Sequence, residues 1–558
     1  MSSDATVPGC CLAPQSGAKL REFQGIQRLY LHQPATNYIS VTTSQGHFDR
    51  KILAMAHLAE VTLVLVYFSV LSTLCIFGVH RAWLVYLCLK HRKDVVRARI
   101  SEKRFREAEL PFVTVQLPLY NEATVAARLI EATGRLDYPH DRFEIQVLDD
   151  STDETEEIAM RAVEAVRRSG VQIHYLRRPN RHGYKAGALD FGLSQARGEF
   201  VAVFDADFIP RPSFLRDIVH HFTDPKIGMV QTRWDHLNRS ENLMTEVQAL
   251  MLDGHHLIEN QARFGSGCFF NFAGTGGMWR KCAIVDAGGW QHDTLTEDLD
   301  LSYRAQLAGY RFIYRPDITT PSELPDTMTA LRAQQYRWAK GTVQTARKLL
   351  PIFLRAPGLT LHQKIEGAFH MLPHFAYPFM MLMSVLMLPA LILLPVADAK
   401  TLILIDLPIS VGATGSLVFF YMLAEHYQGR SPWNALKRMP ILIGLGAGLS
   451  PHLTRAVFSG MTHMAGEFVR TPKRGTGMTR YRAGADLPFV ELVLGTVCVA
   501  SAGVAVHLGH YFAAPFALLF AWGYYYVAGL LIRDRLPVRA QVSEPVTSEV
   551  EESLANAA

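Results

Sequence analysis

The chain has 558 residues, of which 49% are hydrophobic and 19% charged. That balance is too apolar for an ordinary soluble enzyme and too charged for a protein lying wholly in a bilayer, so a soluble domain flanked by membrane segments is expected. A net charge of +5 is small for this length and gives nucleic-acid binding no support, and the seven cysteines form neither a C-x-x-C pair nor a zinc spacing.

The first 50 residues lack the apolar core of a secretory signal, and residues 1–55 are expected to be extracytoplasmic. Val61 to Val79 is uncharged and long enough to cross a bilayer, which places a first transmembrane helix within 56–90. Lys90, Arg92, Lys93, Arg97, Arg99, Lys103, Arg104 and Arg106 follow it, and such a basic cluster faces the cytoplasm. Residues 107–350 alternate between two periodicities. Strands are expected at 112–117, 143–148, 171–176 and 200–204, and helices at 122–132, 155–168 and 185–196. Such alternation builds a mostly parallel sheet with helices on both faces, an α/β domain of Rossmann-like type. Ligands of these sheets bind beyond the carboxyl ends of the strands.

The strand ends carry chemistry. Pro118-Leu119-Tyr120-Asn121-Glu122 follows the first strand, Asp149, Asp150, Ser151 and Asp153 the second, and Asp205-Ala206-Asp207 the fourth. Carboxylates gathered at one crevice repel unless a cation lies between them, and hard oxygen donors select Mg²⁺ or Mn²⁺. Asp205 and Asp207 are therefore the expected metal ligands.

Beyond the soluble domain, 351–366 is expected as an interfacial helix and 367–424 as a transmembrane hairpin made of Gly367 to Ala397 and Leu407 to Ala424. Residues 430–487 are read as interfacial or re-entrant, because apolar Met439 to Thr454 is short and bounded by Lys437, Arg438 and Arg455; a sixth span there is the main alternative. Residues 488–533 suit two more passes. That makes five spans, a polytopic membrane protein with its amino terminus outside and its carboxyl terminus inside. The tail, 534–558, is acidic and expected to be disordered.

Asp149-Asp150, Asp205-Ala206-Asp207, Thr296-Glu297-Asp298 and the Q-x-x-R-W run Gln334-Gln335-Tyr336-Arg337-Trp338 occur in that order. Together they resemble the processive, membrane-bound members of glycosyltransferase family 2, the cellulose synthase superfamily. Phe272 to Gly277 and Thr294 to Asp300 look closest to its cellulose-synthase-like branch with bacterial relatives, and the likeness runs from about Ala59 to Ile532. The resemblance implies a GT-A catalytic domain inserted between transmembrane α-helices, in a bacterial inner membrane with the catalytic domain in the cytoplasm. It implies a hexosyltransferase that polymerises sugar from a nucleotide-sugar donor onto a growing β-glycan acceptor, inverts the anomeric centre and extrudes the product through the lipid bilayer.

UDP-glucose is the first expected donor and GDP-mannose the second; the alternative is a non-processive enzyme adding one sugar to a lipid acceptor. By the same resemblance Asp298, beside Glu297, is the catalytic base. Tyr120, Glu122, Asp149 or Asp150, Lys185, Asp205, Gln334, Arg337 and Trp338 hold the donor. Gly274, Thr275 and Trp338 meet the acceptor, the indole stacking on its terminal sugar. Phe468-Val469-Arg470-Thr471-Pro472-Lys473 resembles the F-x-V-T-x-K gating loop of cellulose synthase, with Arg470 where that loop has Val, so Thr471 and Lys473 are expected over the donor diphosphate. No cyclic-dinucleotide-binding signature is seen, and regulation of that kind is not expected.

Overall fold

The computed structural model of the protein describes residues 42–101, 103–393, 411–466 and 487–536. The gating-like loop with Thr471 and Lys473, the start of the second hairpin segment and the tail from residue 537 lie outside them, while Asp534 and Arg535, expected in the disordered tail, belong to the last helix. Packing divides the chain at Thr62, and the residues from Leu63 onward form one compact unit.

The first helix, α1 (Thr42–Lys90), contains the expected span and runs on through the start of the basic cluster. The α/β domain then comes in chain order: β1 (Val113–Leu119), α2 (Ala126–Gly134), β2 (Phe143–Asp149), α3 (Thr155–Arg168), β3 (Gln172–Arg177), α4 (Tyr184–Gln195) and β4 (Phe200–Val203). Every one of these elements was expected within a few residues. Their apolar runs are long because both sheet faces are covered, as in other parallel sheets. The polar residues on β1 and β2 are buried but paired. Parallel register sets Thr114 opposite Glu144 and Gln116 opposite Gln146, and each pair is hydrogen-bonded, at 2.9 and 3.0 Å.

The second half of the sheet was not foreseen. It comprises β5 (Ile227–His236), α5 (Leu243–Gly254), β6 (Gly277–Arg280), α6 (Glu297–Leu307) and β7 (Arg311–Ser322). The seven strands run in the order β3-β2-β1-β4-β6-β5-β7. Strand β6 is antiparallel to both neighbours, while β5 and β7 pair in parallel. The loop before β6 thereby returns to the carboxyl end of β4.

A 28-residue helix, α7 (Met328–Arg355), leaves the domain, and α8 (Leu361–Met371) succeeds it across the expected interfacial stretch. Next come α9 (Ala376–Leu393), α10 (Ser416–Tyr427), α11 (Pro432–Thr462), α12 (Phe489–Leu508) and α13 (Ala513–Arg535). Among the described residues five helices are long and apolar enough to cross a membrane: His57–Lys90, Pro373–Leu393, Pro432–Thr462, Phe489–Leu508 and Ala513–Arg535. The number equals the expected five but the set differs, because α11 enters it and only part of the expected Leu407–Ala424 segment is described. The α11 helix extends well past the apolar stretch at its centre. Near its start Arg438 pairs with Glu246 of α5 at 2.7 Å, and near its end the Gly460 carbonyl accepts from Arg347 of α7 at 3.0 Å. Both ends therefore rest on helices continuous with the α/β domain, α5 and α7.

Helices α11 and α13 meet backbone to backbone. A Cβ at Gly523 would lie 2.1 Å from the Gly444 carbonyl oxygen, and one at Gly448 would lie 2.4 Å from the Gly523 carbonyl oxygen. Small residues at such a crossing let membrane helices pack without help from water. Gly523→Leu should therefore separate the two helices, lowering the midpoint of thermal unfolding in detergent by several degrees, about 1–3 kcal/mol of overpacking. Differential scanning fluorimetry against Gly529→Leu, at a position with open space around it, is the check.

Candidate active site

The first two strand ends are laced to each other. Asn121 sits in the left-handed region at φ 54°, a conformation Asn tolerates better than most residues. Its backbone N–H donates to Ser151 Oγ at 2.8 Å, and its Oδ1 accepts from Thr152 N at 2.8 Å. Period-two alternation then separates the two adjacent aspartates. Asp149 is buried and accepts from Ser151 N at 2.8 Å and Tyr175 Oη at 2.7 Å. Asp150 lines the cleft and is ion-paired to Arg178. Of the two expected alternatives, Asp150 is the one that lines the cleft. Beside it the Arg181 guanidinium lies 3.3 Å from the Tyr120 ring centroid.

At the end of β4, Lys185 reaches Asp205 Oδ1 at 2.5 Å and donates to the Gly274 carbonyl at 3.0 Å. One side chain thus ties the start of α4, the end of β4 and the loop before β6. Gly274 has φ +83°, and a Cβ there would lie 3.0 Å from Asp298 Oδ2. Asp207 is buried, and its Oδ2 accepts from Glu323 N at 3.2 Å. Thr275, expected at the acceptor, is fully buried instead. Its Oγ1 accepts from the Asp205 backbone N–H at 2.9 Å, so it supports the metal-ligand candidate from beneath.

Glu297 and Asp298 occupy the first turn of α6. Helix α7 holds that turn tightly, since a Cβ on Gly341 would come within 2.8 Å of the Leu295 and Thr296 backbone. The Leu295 N–H donates to Gln344 Oε1 at 3.0 Å, and Lys348 pairs with Asp300 at 2.9 Å. The same helix presents Gln334, Arg337 and Trp338 to the cleft. Burial first and the Glu297 charge second raise the Asp298 carboxyl to about 7, against the opposing pull of Lys185. Glu297 is raised by burial as well, against the pull of Lys185. Burial depresses both cations, yet the Asp205, Glu297 and Asp298 carboxylates hold Lys185 above its usual value, while Arg337 stays below its own.

These side chains line one cleft enclosing about 1200 Å³ of empty space. Tyr120, Glu122, Asp150, Lys185, Asp205, Asp207, Gly274, Glu297, Asp298, Gln334, Arg337 and Trp338 all reach it. Arg181, Phe208, Trp234, Leu252 and Leu324 line it too and were not anticipated. Arg181 stands four residues before Lys185, a cation close to a strand end, which is a readable signal. Trp234 lies near the end of a strand that was not expected from the sequence.

For a divalent cation the residues fit. Asp205 and Asp207 supply hard oxygen donors at the mouth of β4, and Asp205 is a third exposed. No group of three or more His, Cys, Asp or Glu that could hold a metal occurs among the described residues. Two carboxylates suit an ion that takes its other ligands from phosphate and water.

The family described as "Glycosyltransferase like family 2" matches residues 111–341. Glucomannan 4-beta-mannosyltransferase 1 of Cyamopsis tetragonoloba is 32% identical over 460 residues, covering 78% of this chain and 85% of that protein. Glucomannan 4-beta-mannosyltransferase 2 of Arabidopsis thaliana is 36% identical over 400 residues, 68% and 70% of the two chains. Among solved structures, the mannosyltransferase PcManGT from Pyrobaculum calidifontis in complex with GDP-Man and Mn2+ matches at a TM-score of 0.47 and 20% identity, over 70% of this chain and 99% of that one.

Gly274 offers a sharp test of the geometry. A side chain there meets both a left-handed backbone and the Asp298 carboxylate. Gly274→Ala should lower turnover at least about tenfold while costing about 1 kcal/mol of stability, read from steady-state kinetics alongside thermal unfolding.

Proposed function

The chain belongs to glycosyltransferase family 2, in its cellulose synthase superfamily, and on that premise we propose that it is a processive, inverting synthase that builds a β-1,4-linked mannose-containing glycan from GDP-mannose. It is a hexosyltransferase and a multi-pass membrane protein. UDP-glucose, first in the order expected from the sequence, gives way to a GDP-sugar because the relatives are named as 4-beta-mannosyltransferases. The observation that carries the reading is that Asp298, the Lys185–Asp205 pair, Arg337 and Trp338 line one cleft.

In this reading Tyr120, Asp150 and Arg181 receive the nucleoside at the far side of the cleft. Lys185 and Arg337 bring two positive charges to the place where the diphosphate leaves, and fixed charges in a water-poor site stabilise a developing anion far better than they would in bulk water. Asp205 and Asp207 would hold Mg²⁺ or Mn²⁺, which would supply further charge stabilisation there. Asp298 takes the proton from the attacking acceptor hydroxyl. As that oxygen bonds to the anomeric carbon, the bond from carbon to diphosphate oxygen breaks on the opposite face, so an α-linked donor gives a β-linkage. A carboxyl raised to about 7 is a better proton acceptor than an ordinary one, and about half of it is ionised near neutral pH. Trp338 offers its indole face to the acceptor sugar.

Transfer of the product through the membrane helices belongs to the same proposal. Behind Trp338 a small void, with room for about one water, is lined by Gln248 and Met251 of α5, Leu331 and Gln335 of α7, and Leu445 and Leu449 of α11. Leu252, Gln334 and Trp338 line both spaces, so the void adjoins the cleft on the side of α11.

Membranes containing the protein, incubated separately with labelled GDP-mannose, GDP-glucose and UDP-glucose, should make polymer from GDP-mannose, and EDTA should abolish synthesis until Mg²⁺ or Mn²⁺ is restored. A product of one sugar on a lipid carrier would replace processive synthesis with the single-transfer alternative. Asp298→Asn should reduce kcat by at least about a thousandfold, with donor binding retained. The sign with pH follows from the raised carboxyl. The base works when deprotonated, so kcat/KM should rise with pH up to about 7 and level off above it. A flat profile from pH 5 to 8 would remove Asp298 from that role.

A further inference from the structure

The junction between Asp298 and Gly274 is laced together by hydrogen bonds running from α6 to the loop 270–274. Ser302 Oγ donates to the Asp298 carbonyl at 2.6 Å and accepts from Phe272 N at 2.8 Å. One turn on, Gln306 Nε2 donates to the Phe270 carbonyl at 2.8 Å. The third link comes from outside the sheet. His370, on α8, contacts Tyr303 Oη through Nδ1 at 2.9 Å and Asn271 Oδ1 through Nε2 at 3.2 Å. Tyr303 belongs to α6, and Asn271 to the loop that carries Gly274.

Each donor and acceptor in this link can be assigned. The Asn271 amide nitrogen donates to the Phe272 carbonyl at 2.8 Å, so its oxygen is the atom that faces His370. An oxygen there requires a proton on His370 Nε2. A neutral imidazole then has an accepting Nδ1, and the Tyr303 hydroxyl must donate to it. Burial, joined by the positive charge of Arg263, pushes the His370 pKa well below its usual value, which matches that single neutral tautomer.

Helix α8 is itself held by neighbours. A Cβ on Gly367 would overlap Phe353 of α7. Glu366 bonds His80 of α1 at 3.2 Å, and the His80 ring stacks on Phe369 at 4.0 Å between centroids. Two residues past α8 the membrane-spanning stretch Pro373–Leu393 begins.

We propose that His370 is a positioning residue for sugar transfer, clamping α6 to the loop 270–274 so that the Asp298 carboxylate is held against Gly274, and tying that junction to the membrane helix α1 through α8. The inference rests on the reading of Asp298 as the base. His370 touches neither donor nor acceptor; it acts by fixing the angle at which Asp298 enters the cleft, and small displacements of a reacting group are expensive in rate.

The test uses the full chain in lipid nanodiscs. His370→Ala should lower kcat about tenfold and Tyr303→Phe, which removes one hydroxyl, about threefold, with the donor KM within about twofold in both. Because the two changes break one shared bond, the double variant should be no slower than His370→Ala alone. His370→Gln, which carries an N–H near the Nε2 position, should recover most of the loss. A rise in donor KM at constant kcat, additive losses in the double variant, or a Gln variant as slow as the Ala one would each overturn the proposal. Should His370→Ala fail to fold, the kcat of Tyr303→Phe decides alone: wild-type turnover there sinks the clamp. Asp298→Asn in the same preparation separates the two claims. If it keeps full activity, the base assignment falls and this inference with it. If it is inactive while Tyr303→Phe and His370→Ala turn over normally, only the clamp falls.

Discussion

Five ionisable side chains, Lys185, Asp205, Glu297, Asp298 and Arg337, converge on one cleft, and the buried ones among them could not lie there alone. A carboxylate or ammonium taken from water costs several kcal/mol unless opposite charge and hydrogen bonds replace its hydration. The five come from α4, the end of β4, the first turn of α6 and the middle of α7, so charge compensation binds together elements far apart in the chain. Lys185 shows the constraint most directly: its three donors serve a carboxylate and a carbonyl on different elements at once. The compensation is incomplete, and the unbalanced remainder is the raised carboxyl of Asp298. A site poised in this way suits proton abstraction, and the same imbalance leaves room for the charge of a nucleoside diphosphate and a cation.

The close approaches that the charges require come from residues without side chains. Gly274 brings the loop onto the Asp298 carboxylate, and Gly341 brings α7 onto the turn that precedes it. Helix α7 then carries the arrangement toward the membrane. One face presents Gln334, Arg337 and Trp338 to the cleft. Another packs on α11, where Arg332 bonds His452 at 2.9 Å, and its first turn is capped by Asp534 of α13, which accepts from Thr329 N at 2.9 Å. Cleft and membrane helices therefore share one rigid strut, and α8 with His370 is a second connection beside it.

Much of the α/β half was readable because its signals are local. The strands β1 to β4 are apolar runs ended by polar turns, and α3 lies on the residues expected of it. Strands β5 to β7 escaped because pairing partners lie far apart in sequence and β6 is only four residues long. Among the site residues, charge marked Asp150, Asp205 and Asp207 at strand ends, and Lys185 came with the family resemblance. Charge could not say which of Asp149 and Asp150 would face the ligand, since a strand sends neighbours to opposite faces and the register decides which face is which. Thr275 was misplaced for the same reason, its hydroxyl being turned under Asp205 rather than toward an acceptor. His370 carried no signal at all, since a histidine beside a membrane segment gains its meaning only from the tyrosine and asparagine that meet it.

By itself the sequence determined the division into an α/β domain and membrane helices, the strand ends where acidic and basic groups gather, and the order of motifs that marks the family. These are properties of composition, periodicity and adjacency, and they survive without knowledge of any long-range contact. Only the tertiary structure decided that β6 runs backward and returns Gly274 to the end of β4, that the turn bearing Asp298 lies under α7, and that both ends of α11 rest on α5 and α7. Those outcomes depend on how buried charges find partners and how closely backbones approach, and both are settled between elements rather than within them.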